Sequence, residues 1–77
     1  MHTKHVFIPA EGEQLAYAEV YDTPLKDTFV SFTREDAIKQ DVLELIVQKK
    51  LNPMQYQAVK IYDRQFGKVI TVKIEEL

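Results

Sequence analysis

The chain has no cysteine and no tryptophan, only two glycines and a single serine in 77 residues. Without cysteine there are no disulfides, no thiolate zinc sites and no cysteine nucleophile, and the composition fits a reducing, cytoplasmic setting. Gly12 and Gly67 stand far apart, so neither a phosphate-cradling loop nor a dinucleotide fingerprint can be built from them. Histidine is confined to His2 and His5 and serine to Ser31. A Ser-His-acid triad would have to draw its base from the first few residues, where chains fray. In an extended segment the spacing of the two histidines puts their rings on opposite faces, and they read as solvated side chains rather than metal ligands. The carboxylate pairs Glu11/Glu13 and Glu75/Glu76 read as solubilising charges, since acid–base catalysis needs two carboxylates in contrasting environments. No apolar run approaches the ~20 residues of a membrane span, and MHTKHVFIPAEGE lacks the apolar stretch of a signal peptide. The sequence therefore predicts no catalytic, cofactor or metal site and no membrane segment.

What is present is globular. Hydrophobic residues make up 45% of the chain and charged residues 29%, a balance that supports a packed core rather than disorder. The length predicts one domain spanning 1–77, near the lower limit of what folds unaided. The net charge is only −2, yet it is unevenly spread. Residues 39–73 carry seven basic side chains against three acidic ones, and the remainder carries three against nine. Such asymmetry accompanies an anionic partner or complementary self-association, and it is also common on ordinary solvated surfaces.

The clearest element is TREDAIKQDVLELIVQKK. Thr33 is a natural N-cap with Asp36 three residues on. Glu35 and Asp36 suit the positive end of a helix dipole, and Lys49 and Lys50 the negative end. Asn52-Pro53 stops the helix, because a residue before proline avoids the α region. A helix over about 34–50 follows. At ~100° per residue Leu45, Ile38, Val42 and Ile46 form its apolar stripe, with Gln40, Asp41, Glu44 and Gln48 on the polar side. Leu43 and Val47 extend the apolar arc beyond what one sheet face requires. Either a neighbouring segment of the same chain covers them, or they mediate self-association.

The stretch NPMQYQAVKIYDRQFG has two readings. Asn52-Pro53 resembles a helix start, with Met54, Ala58, Ile61 and Tyr62 at helical spacing. As a β-hairpin, residues 57–63 pair with 68–74 around a loop from Arg64 to Gly67. Val59 then faces Val72 and Ile61 faces Ile70, while Tyr62 meets Val69 and Lys60 meets Thr71 on the other side. The hairpin is favoured because it joins β-branched pairs on one face and puts Gly67 where the loop needs a positive φ.

In the N-terminal half, KHVFIP reads as a strand, and LAYAEVYD with TFVSF as a hairpin around Thr23–Asp27; a short helix over 11–21 is the alternative. In that hairpin Val20 faces Val30 and Ala18 faces Phe32. The expected order is β-β-β-α-β-β, an α+β domain with one helix on a largely antiparallel sheet.

These features point to a small non-enzymatic protein–protein interaction module, an accessory, adaptor or inhibitor. Its expected partners are a second copy of itself, through Leu43 and Val47, and another protein, through a sheet face carrying Tyr17, Tyr21, Phe29 and Tyr62. The alternative is a nucleic-acid-binding module that uses those aromatics and the basic residues Lys49, Lys50, Lys60, Arg64, Lys68 and Lys73.

Overall fold

The computed structural model of the chain describes residues 2–12, 18–24, 35–63 and 67–77. Strand β1 (His2–Pro9) is followed by β2 (Glu19–Pro24), helix α1 (Glu35–Gln48), a 3₁₀ turn (Pro53–Gln55), β3 (Tyr56–Asp63), β4 (Lys68–Lys73) and a closing 3₁₀ turn (Ile74–Glu76). The four strands form one antiparallel sheet in the order β2-β1-β3-β4. This is an α+β architecture, with the helix between β2 and β3 in sequence. The strand expected at 28–32, and with it the Val20/Val30 and Ala18/Phe32 pairings, lies outside the described residues, as do Thr33 and Arg34 at the expected start of the helix. The edge of β2 that is described pairs with β1, where Val20 faces Val6.

The ambiguous stretch resolves into both readings in succession. Asn52 does start a helical turn: its side chain accepts from the Met54 N–H at 3.0 Å, with Pro53 at the first position. That turn is a single 3₁₀ step, and at Tyr56 the backbone is already extended. From there the hairpin has the expected register, Val59 opposite Val72 and Ile61 opposite Ile70, with Lys60 opposite Thr71 and Tyr62 opposite Val69. Gly67 sits at φ +66°, and its N–H donates to the Asp63 carbonyl at 2.9 Å.

The helix ends earlier than the expected residue 50, for a local reason. Lys50 takes a left-handed conformation, φ 55°. Its N–H donates to the Val47 carbonyl at 3.2 Å, and the Leu51 N–H donates to the Ile46 carbonyl at 3.0 Å. These two bonds are the pair that close a Schellman motif, where glycine usually occupies the left-handed position. Leu51 then packs against the core, as the hydrophobic contact of that motif requires.

α1 buries Ile38, Val42, Leu45 and Ile46 against one sheet face. That face supplies Phe7 from β1, Tyr56, Val59 and Ile61 from β3, and Val72 from β4. Phe7 is the centre: Tyr21 and Tyr56 meet its ring edge-on at 5.7 Å and 5.5 Å between centroids. Near the end of β1 the ladder slips by one residue between Ile8 and Pro9. The slip turns Tyr56 inward, and Gln57 reaches across to donate to the Pro9 carbonyl at 2.9 Å.

Candidate functional site

Strand alternation assigns each candidate residue to a face. On β1, Thr3, His5 and Phe7 point toward α1, and Lys4, Val6 and Ile8 away from it. Register then carries the assignment across the sheet. Tyr21 and Ile61 flank His5 on the helix side, and Asp22 and Val69 continue the row of Lys4 and Tyr62 on the outer side. The aromatics expected on one open face are thus separated. Tyr21 belongs to the helix side, packed on Phe7, and Tyr62 to the outer side; Tyr17 and Phe29 lie outside the described residues. The physical reason is that β2 pairs with β1, whose register fixes which of its side chains turn inward.

The basic residues are also divided. Lys60 and Lys73 lie on the outer face beside Ala58 and Thr71. Lys49 and Lys50 follow the end of α1 on the other side of the sheet, where the Lys49 ammonium sits 5.6 Å from the centroid of the Tyr21 ring. Lys68 opens β4 opposite Asp63, and Arg64 lies outside the described residues. The described lysines do not converge on one surface.

Leu43 and Val47 remain together. They are one helical turn apart, 38% and 76% exposed, while Ile38, Val42, Leu45 and Ile46 fill the core. A cleft of about 570 Å³ has Thr23, Pro24, Gln40, Leu43 and Val47 among its lining residues.

One polar cluster escaped the sequence reading. His5, expected to be solvated near a frayed terminus, is fully buried in a strand that is hydrogen-bonded on both sides. Its Nδ1 lies 3.3 Å from Thr23 Oγ1, and its Nε2 lies 3.4 Å from Asp41 Oδ2. Asp41, expected on the polar side of the helix, is 92% removed from solvent, with 8% exposed. Together they tie β2, β1 and α1. The order hydroxyl, imidazole, carboxylate is that of a catalytic relay, but a fully buried ring is out of reach of a substrate, and the cluster acts as an internal strut. The signal in the sequence was the alternation Thr3-His5-Phe7, which sets His5 on the same face as a core aromatic.

Tyr21 completes the electrostatics of this side. Its hydroxyl donates to the Glu19 carboxylate. Burial, then the hydrogen bond and the negative charge of Glu19, push its pKa up from 10.0 to about 12. Among the described residues, no group of three or more His, Cys, Asp or Glu side chains is arranged to hold a metal ion, and no helix is long and apolar enough to cross a membrane. No protein-family model matches the chain, and neither a curated protein nor a solved structure matches it.

Proposed function

We propose that this chain is a small non-enzymatic protein–protein interaction module, an accessory, adaptor or inhibitor, that works as a homodimer and acts on a larger protein. The observation that supports this reading is the exposure of Leu43 and Val47 side by side on α1. A short chain has little apolar surface to spare for solvent, and adjacent exposed apolar side chains on a helix are what a partner helix or strand covers. The cleft beside them is lined by Pro24, Leu43, Leu45 and Val47 together with polar Gln40 and Glu44, a mixture of side chains that a protein interface also uses.

The burial of His5 supports the non-enzymatic part. Of the two imidazoles, that of His5 is committed to joining three elements of the fold, and that of His2 lies exposed at the first residue of β1. The nucleic-acid reading is the weaker one, because the described lysines are split between the two sides of the sheet and Tyr21 is packed inward.

Sedimentation equilibrium at ~100 μM, well above a micromolar dissociation constant, tests the proposal. The wild-type chain sediments as a dimer, and Leu43→Glu with Val47→Lys gives a folded monomer with unchanged far-ultraviolet circular dichroism. A wild-type monomer at that concentration refutes self-association.

A further inference from the structure

The exposed side of α1 carries more than two apolar residues. Asp36, Gln40, Leu43, Val47 and Lys50 are all exposed, and their spacing alternates four, three, four, three. At 100° per residue Asp36, Gln40, Leu43 and Val47 fall within an arc of about 60°, the seam of a two-helix coiled coil, and Lys50 follows just past the end of the helix. The middle of the seam is apolar. Its first turn is acidic, with Glu35 beside Asp36, and basic Lys49 and Lys50 follow its last residue.

We propose that two copies of this chain join through α1 packed antiparallel about a two-fold axis, with Leu43 of each copy set against Val47 of the other. This rests on the self-association proposed above and assigns its geometry. Charge selects the orientation. A parallel pair would stack Asp36 on Asp36 and Lys50 on Lys50, aligning like charges and like dipole ends. The antiparallel pair brings the acidic start of each helix toward the basic end of the other. Packing selects the register. With Leu43 against Val47, the next layer sets Gln40 against Lys50, a polar pair at the rim. Slipping by one layer would place Val47 against Asp36 and Leu43 against Gln40, losing every apolar contact. The helix closes at Gln48 and the left-handed turn at Lys50 follows it, which leaves that lysine at the margin of the seam, as this arrangement needs. Because the same patch serves both copies, the contact closes on itself and stops at a dimer.

The absence of cysteine from the chain permits a direct test. Gln40→Cys and Lys50→Cys are placed in one chain, and dimers are treated with a mild oxidant. Position 40 lies about 12 Å along the axis from the last helical residue, Gln48, and position 50 follows that end, too far for an internal disulfide, so any bridge joins two copies. The antiparallel register gives a covalent dimer with the double variant and little with either single variant. A parallel pair gives covalent dimers with each single variant, and that result overturns the proposed geometry. Sedimentation of the wild type separates the two levels of the argument. A dimer in which the double variant does not crosslink overturns the α1 geometry and leaves self-association standing. A monomer overturns both.

Discussion

His5 Nε2 stands 3.4 Å from the Oδ2 of Asp41, a contact between β1 and α1 among the few buried polar side chains of the fold. A buried polar pair of this kind contributes little beyond what a well-packed apolar pair would, but it is costly to leave half-made. Asp41→Ala or His5→Ala alone therefore destabilises the fold by about 1–3 kcal/mol. Denaturant unfolding of the two single variants and the double variant yields a coupling of about 0.5–3 kcal/mol. Strict additivity would remove the pair from the list of stabilising contacts.

Thr3 lies next to this cluster and is fully buried, with no hydrogen-bond partner for its Oγ1 among the described residues. Replacing that hydroxyl by a methyl group removes a desolvated polar atom while keeping the shape of the side chain. Thr3→Val raises stability by about 1 kcal/mol, read as a higher midpoint in urea at unchanged slope. A lower midpoint would mean that the hydroxyl has a partner in solution.

Alkaline unfolding reports on Tyr21. Its pKa is raised above that of the unfolded chain, so its contribution to stability is fully present below pH 10 and is lost as the pH rises through about 12. In a series of urea titrations from pH 8 to pH 12, wild type loses stability over that interval more steeply than Tyr21→Phe. Parallel curves would show that in solution the Tyr21 hydroxyl is neither desolvated nor held by Glu19.

The left-handed residue at the end of α1 is a lysine, a conformation that costs a side-chain-bearing residue roughly 1–2 kcal/mol. Lys50→Gly removes that strain and adds glycine's greater entropy cost on folding, a net gain of about 0.5–1 kcal/mol. Gly67, at φ +66° with open space around it, behaves oppositely. Gly67→Ala loses about 1 kcal/mol through backbone strain alone. Thermal unfolding of the two variants gives shifts of opposite sign.

Nucleic-acid affinity distinguishes the proposed function from its alternative. With the described lysines divided between two sides of the sheet, mixed-sequence single- and double-stranded oligonucleotides at low salt bind no tighter than the weak nonspecific range of about 100 μM. Micromolar binding with a steep salt dependence would transfer the assignment to a nucleic-acid module.

The helix and the β3–β4 hairpin were legible in the sequence because their information is local. The apolar period of residues 38–46 and the pairing of Val59 with Val72 and Ile61 with Ile70 depend on neighbours within one turn of helix or across one short loop. The Asn52-Pro53 stretch was half legible: the cap was real, but only the competition with β1 for backbone partners confined it to a single turn, after which Ala10 and Gln55 join the two segments by a hydrogen bond.

Tertiary structure alone decided the position of β1. It is a central strand whose His5 faces Tyr21 on one side and Ile61 on the other, residues that no short-range pattern connects. That placement buried His5, turned Tyr21 inward and drew Asp41 out of solvent, and so set Tyr21 and Tyr62 on opposite sides of the sheet. Periodicity determines which residues of an element share a face. Which face is covered, and by what, is set only when strands far apart in the chain become neighbours.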